Sequence, residues 1–259
     1  MESSRLQIQK LMRRFYTHCI ENGIVYFDEE EARHMIRVLR LGERDQVIAL
    51  DGSGNEYVCE IDRVDKKGVT GKILEMRRPE VEAKTKITLY QACLKTDKME
   101  FIASKATELG AAALVPVLTE RCVKIPQKAA HEKFVNKLHR ASIEAVKQCR
   151  RVVPLAIEQP ISLETLVKRV ADSPLVVFAY ESGGQPIKQV LQQAHPDIHQ
   201  IGLICGPEGG FTEKEAEQLM RAGAQAVTLG KRILRAETAA LTLIGCTMYE
   251  MDEMTLEEE

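Results

Sequence analysis

Short apolar runs at residues 25–27, 46–50, 56–61 and 69–73 are separated by the turn signals Asp51-Gly52-Ser53-Gly54 and Lys67-Gly68. Runs of this length between glycine-bearing and polar clusters predict a small β-rich module over residues 15–78. A helix over 29–39 interrupts it, with acidic residues in its first turn and His34, Arg37 and Arg40 later, the order a helix dipole favours. From Arg77-Arg78-Pro79 to Lys86 the chain turns charged and apolar-poor, which places a domain boundary there. Beyond it, strands at 87–90, 114–118, 175–179, 202–205 and 226–229 alternate with helices at 99–109, along the basic stretch after residue 121, at 213–222 and at 237–249. That alternation predicts an α/β domain with a mainly parallel sheet and helices on both faces.

Two of the later strands end in glycine-bearing turns, Gly206-Pro207-Glu208-Gly209-Gly210-Phe211 and Leu229-Gly230-Lys231-Arg232-Ile233-Leu234-Arg235. In an open α/β sheet ligands bind outside the carboxyl ends of strands, so two such loops can share one pocket. Glycine lets the backbone take φ > 0 or approach a ligand closely. Thr212 with Glu215 three residues on forms a capping box, which aims a helix N-terminus at the first loop. The competing reading is a pair of tight strand-to-helix connections. Neither loop is a dinucleotide fingerprint, and Gly230-Lys231 is followed by Arg232 where a P-loop needs Ser or Thr. What remains is a pocket of backbone groups beside two arginines and two carboxylates.

The 259 residues suit two domains with real cores. No charged-then-apolar leader opens the sequence and no apolar stretch approaches a membrane span, so a cytoplasmic protein is expected. Seven scattered cysteines without a Cys-x-x-Cys pair read as reduced core thiols. His195 and His199 have the spacing of a metal pair, but Pro196 and the want of further ligands favour a solvated loop, and no metal is expected. Net charge is −2, yet Arg121, Lys124, Lys128, Lys133, Lys137, Arg140, Lys147, Arg150 and Arg151 are opposed over that stretch only by Glu132 and Glu144, while residues 250–259 are acidic. The basic stretch reads either as a local attraction for phosphate or as a solvated helix face behind the stripe Phe134, Leu138, Ala141, Ala145 and Cys149.

Taken in order, the segments 206–212 and 229–239 closely resemble the C-terminal motifs of the RsmE family, SPOUT-class methyltransferases of small-subunit ribosomal RNA. Met12-Arg13-Arg14-Phe15, His34-Met35-Ile36-Arg37-Val38-Leu39-Arg40, Lys95-Thr96-Asp97-Lys98-Met99-Glu100 and Lys105-Ala106-Thr107-Glu108-Leu109-Gly110 extend the resemblance over nearly the whole chain from Met12. It implies a PUA-like β-barrel over 12–80 that docks RNA. It also implies a domain over 81–259 with a trefoil knot, which binds S-adenosylmethionine and forms the homodimer. The implied reaction is methylation of N3 of a uridine near the decoding centre of 16S rRNA in the small ribosomal subunit. The rival readings are a SPOUT enzyme for another RNA site and a non-catalytic, RNA-binding ribosome-assembly factor. Residues 1–11 precede the matching segment and are expected to carry no function. Lys147 and Cys149 depart from the family, which has an acidic residue and Ser there.

Carried over motif by motif, the cofactor pocket would use Gly206, Glu208, Gly209 and Gly210 from the first loop, and Leu229, Gly230, Ile233, Leu234 and Thr238 from the second. Gly206→Val is expected to block it with the fold intact. Uridine N3 is a weak acid, so its methylation needs the proton removed or the anion stabilised. Arg235 is the candidate for stabilisation, against the reading of a structural ion-pair partner; Arg232 is left to pair with Glu237 or a phosphate. Glu208 is a candidate base. Arg13, Arg14, Arg37 and Arg40, with His34 as a base contact, are the candidates for RNA docking.

Overall fold

The computed structural model describes residues 12–65, 68–122, 128–193 and 198–255. Expectations for residues 1–11, Lys67, Lys124, His195, Pro196 and the end of the acidic tail lie outside them. The chain divides into two compact units, one running to Glu82 and including Val146–Val153, the other made of Ala83–Ala145 and Pro154–Glu259.

In the first unit, β1 (Arg14–Tyr16), β2 (Cys19–Glu21), β3 (Ile24–Phe27), β4 (Gln46–Leu50), β5 (Glu56–Asp65) and β6 (Gly68–Arg77) form one sheet in the order β1-β4-β5-β6-β3-β2. Only β1 and β4 run parallel. β5 and β6 outrun their apolar segments because ladder pairing continues through outward polar residues such as Arg63 and Lys72. Phe15, Val25, Phe27, Val47, Ala49 and Ile61 close the core with Ala32 and Met35. The expected helix over 29–39 splits into α1 (Glu29–Arg33), capped by Asp28, and a π-helical turn over His34–Val38. In a continuous α-helix Val38 would follow Met35 into the core; the wider turn leaves it 67% exposed. Lys147 Nζ lies 2.7 Å from Glu31 Oε1, with the side chains 7% and 9% exposed.

The second unit holds β7 (Lys86–Ala92), β8 (Ala113–Leu118), β9 (Ala156–Ile157), β10 (Ile161–Ser162), β11 (Val176–Ala179), β12 (Gln185–Pro186), β13 (Gln200–Cys205) and β14 (Gln225–Thr228). Their order is β10-β8-β7-β13-β11-β14-β12, with β9 also on β8, and every pairing is parallel. The helices are α2 (Thr96–Glu108), α3 (His131–Cys149, whose last four residues belong to the first unit), α4 (Leu163–Ala171), α5 (Ile187–Gln193), α6 (Glu213–Arg221) and α7 (Ala236–Glu250). Alternate strand residues enter opposite cores, as the pleat requires. Ile87, Leu89, Val177 and Leu203 pack with Met99 and Ile102 of α2 and with Leu243 and Ile244 of α7. Tyr90, Val176, Phe178 and Ile204 pack with Leu166 of α4 and Leu219 of α6. Each fully buried side chain of this size contributes about 1.5–3 kcal/mol. Two-sided burial fixes the sheet, so the ends of β13, β11 and β14, which are neighbours, hold three loops side by side.

Candidate active site

A cavity of about 530 Å³ opens at those three strand ends. Gly206, Glu208, Gly209 and Gly210 line it from the loop after β13, and Leu229, Gly230, Arg232, Ile233, Leu234 and Arg235 from the loop after β14. Thr238 stands outside the lining: α7 turns it away from the face that Ala236 and Ala239 present, and it is exposed. The remaining wall comes from residues that sequence reasoning did not single out for the pocket, chiefly Ala179 at the end of β11, Tyr180 and Glu181 after it, and Lys98 of α2.

The first loop is pinned from behind. Phe211 is 3% exposed and meets Phe178 edge-on at 5.1 Å. Thr212 accepts from the Glu215 N–H at 3.2 Å while Glu215 Oε2 accepts from the Thr212 N–H at 2.9 Å, the expected capping box. The second carboxylate oxygen of Glu215 accepts from Glu120 N at 2.8 Å, and Arg121 Nη1 donates to the Gly209 carbonyl at 3.0 Å. A Cβ on Gly206 would stand 3.1 Å from the buried Phe211 ring. Gly206→Val therefore presses on the core as well as on the cavity, and the expectation of an undisturbed fold is corrected.

The loop after β11 carries Gly183 and Gly184, both at positive φ. A Cβ on Gly184 would lie 2.6 Å from the Ala226 carbonyl oxygen and 2.7 Å from Val227 N, backbone of β14 that cannot step aside, whereas one on Gly183 meets nothing within 4 Å. Both substitutions carry the left-handed backbone penalty, so their difference isolates the clash. Gly184→Ala is expected to cost about 1–3 kcal/mol more than Gly183→Ala in urea unfolding. Equal losses would show that β14 yields.

Lys98 ties the two anticipated loops together. Its Nζ lies 3.2 Å from Glu208 Oε1 and 3.2 Å from Glu237 Oε2. Desolvation by itself would lower the Lys98 ammonium, but its bonds to Glu208 and Glu237 leave it raised. Desolvation likewise pushes the Glu237 carboxyl up, and its own backbone N–H, Lys98 and Arg235 together bring it below the usual carboxylate range. Glu237 thus has Lys98 as its ion-pair partner, correcting the pairing expected with Arg232. Lys98 holds Glu208 by Oε1, which leaves Oε2 as the oxygen that would take a substrate proton. Arg235 is exposed at the N-cap of α7, makes no side-chain cap bond, and is free to face a ligand. Burial, with Glu181 next in effect, pushes the Cys205 thiol up to about 12, and burial does the same to Cys59 and Cys93, so these thiols are neutral.

In the first unit Arg13, His34, Arg37 and Arg40 are exposed, His34 leaning edge-on to Phe15 at 6.1 Å. Arg14 is different. Its Nη1 donates to Glu56 at 3.0 Å and its Nη2 to the Arg151 carbonyl at 3.3 Å, with the side chain 10% exposed. β1 turns it inward, and it is withdrawn from the docking candidates. Several cations of the basic stretch are likewise engaged internally, Lys147 with Glu31, Arg151 with Glu82 at 2.6 Å, and Arg121 with the first loop. They act as structural ties, a role that neither the phosphate reading nor the solvated-face reading assigned them. Among the described residues no group of three or more His, Cys, Asp or Glu is placed to hold a metal ion, and no helix is long and apolar enough to cross a membrane.

Comparison with known proteins gives one consistent result. The family model described as an RNA methyltransferase domain matches residues 81–248, and the RNA methyltransferase PUA domain matches residues 27–74. The chain is 32% identical over 240 residues to a ribosomal RNA small subunit methyltransferase E of Aquifex aeolicus, covering 92% of this chain and 99% of that one. A Bacillus subtilis protein of the same name is 32% identical, over 86% of this chain and 89% of its own length. Among solved structures, a methyltransferase of Legionella pneumophila with bound S-adenosylmethionine superposes with a TM-score of 0.84 at 29% identity, covering 92% of this chain and 97% of the other. The Neisseria gonorrhoeae ribosomal RNA small subunit methyltransferase E bound to S-adenosylmethionine gives 0.81 at 29% identity, with the same coverage.

Proposed function

The chain belongs to the RNA methyltransferase family of ribosomal RNA small subunit methyltransferase E, and from that premise we propose that it methylates N3 of a uridine near the decoding centre of 16S rRNA, with S-adenosylmethionine as donor. The observation that carries this reading is the cavity where three neighbouring parallel strands end, walled by glycine backbone and by Glu181 and Glu208. Its volume of about 530 Å³ is in the range of small-molecule sites, roughly 300–1,000 Å³. Backbone N–H and C=O groups suit a nucleobase edge, and carboxylates suit a cationic donor. When bound, S-adenosylmethionine supplies an electrophilic methyl on a sulfonium.

The chain's own groups then have two tasks. Gly206, Gly209, Gly210, Leu229, Gly230, Ile233 and Leu234 hold the donor from both loops and limit water around it, so that alignment supplies much of the rate. Arg235 faces the uracil ring and stabilises the negative charge that N3 and the ring carbonyls gain as the proton leaves. Docking falls to the first unit, through exposed Arg13, Arg37 and Arg40 on phosphates and His34 on a base. The reading includes a homodimer formed through the second unit, and action in the cytoplasm, where the small subunit is.

The test is transfer of labelled methyl from S-adenosylmethionine to small subunits from a strain lacking the gene, followed by nucleoside mass spectrometry. 3-Methyluridine is the expected product. A different methylated nucleoside would move the target, and tight donor binding without transfer to subunits or free RNA would replace catalysis with a role as a binding factor.

A further inference from the structure

Two carboxylates line the cavity, Glu181 and Glu208, and the second of them is tied. Glu208 and Glu237 share Lys98 at 3.2 Å each. Glu181, exposed at the tip of the loop after β11, has no cation within ion-pairing distance among the described residues. It nonetheless lies against the first loop. Its Oε1 sits where a Cβ of Gly210 would otherwise fall, so the bare Cα of Gly210 admits the carboxylate to the cavity wall. Gly184, locked on the backbone of β14, fixes the far end of the same loop. The charge of Glu181 reaches inward as well, since it adds to burial in raising the thiol of Cys205, which also lines the cavity.

We propose that Glu181 is the anion that reads the positive charge of the methyl donor. The inference rests on the reading of the cavity as an S-adenosylmethionine site and deepens it by naming the residue that recognises a cation there. S-Adenosylmethionine carries two cationic centres, the sulfonium and the ammonium. S-Adenosylhomocysteine keeps only the ammonium, and 5′-methylthioadenosine has neither. An unpaired carboxylate on the cavity wall distinguishes among these three ligands although they share the adenosine. If the sulfonium is the charge sensed, the same carboxylate loosens its hold once the methyl has left and the sulfur is neutral, which favours exchange of product for fresh donor.

The experiment is calorimetric titration of the full-length wild-type protein and of Glu181→Gln with each of the three ligands. Gln keeps the shape of the side chain and removes only its charge. S-Adenosylmethionine is expected to bind about tenfold more weakly to Glu181→Gln, with 5′-methylthioadenosine unchanged. S-Adenosylhomocysteine identifies the source: unchanged binding assigns the sulfonium, and a loss equal to that of S-adenosylmethionine assigns the ammonium. Equal losses for all three ligands would mean loop damage, and no loss for any would mean that Glu181 is idle; either overturns the proposal. Wild-type protein that binds none of the three would instead overturn the cofactor reading itself.

Discussion

Lys147→Met is expected to destabilise the first unit by about 3–5 kcal/mol, the largest stability effect of a single substitution that the structure suggests. The substitution removes the ammonium 2.7 Å from Glu31 and leaves a carboxylate whose side chain is 9% exposed without its cation. Glu31 Oε1 also accepts from the Tyr16 N–H at 3.3 Å, so the disturbance reaches β1 directly. The loss should appear as a lower urea midpoint by circular dichroism and as faster exchange of the Tyr16 amide. Lys147→Met combined with Glu31→Met should recover most of it, because a buried ion pair replaced whole by apolar groups of similar volume is often neutral or better. A single variant as stable as wild type would show that water reaches Glu31 freely. Lys147 is explained here by its partner Glu31.

Arg235→Ala is expected to lower turnover about 10²–10³-fold at saturating donor and RNA, the scale on which a lost stabiliser of developing negative charge is felt. Donor affinity and the unfolding midpoint should stay near wild type, since the side chain makes no cap bond for α7 and is exposed. Single-turnover kinetics with small subunits measures this directly. Normal turnover would remove Arg235 from the chemistry, and a fall in the unfolding midpoint matching the fall in rate would return it to the structural role that its influence on Glu237 also fits.

Which parts of the site were legible in the sequence follows from how local each cause is. The loops 206–211 and 229–235 announce themselves because glycine and proline set their own backbone, and the Thr212–Glu215 box needs only four consecutive residues. The loop at 180–184 carries a glycine pair of its own. What was hidden is that β11 lies between β13 and β14, a strand order decided by packing on both faces of the sheet and not by any pattern within residues 175–184. Lys98 lies within one of the family-like segments, but its task is not local, since its two partners lie more than a hundred residues downstream. Arg13 and Arg14 show the same limit at close range. Strand alternation says that they face opposite ways, but only the position of Glu56 decides which one is enclosed. In the first unit, 3.6-residue spacing cannot distinguish a straight helix over 29–39 from one that widens at His34.

The pairing of β7 with β13 joins Lys86 to Gln200 and Gln91 to Cys205, which has consequences for the order in which the molecule can assemble as it is synthesised. When β7 and β8 have left the ribosome, one edge of β7 must wait until residues 200–205 are made, so the nascent chain carries an open, apolar strand edge of the kind that aggregates or engages chaperones. The amino-terminal unit waits too, since Val146–Val153 belongs to it and is made only after Ala83–Ala145 of the second unit. Neither unit can therefore finish folding on its own schedule. Contacts this distant in sequence also predict slow refolding after dilution from denaturant, with the rate set by chain topology more than by final stability.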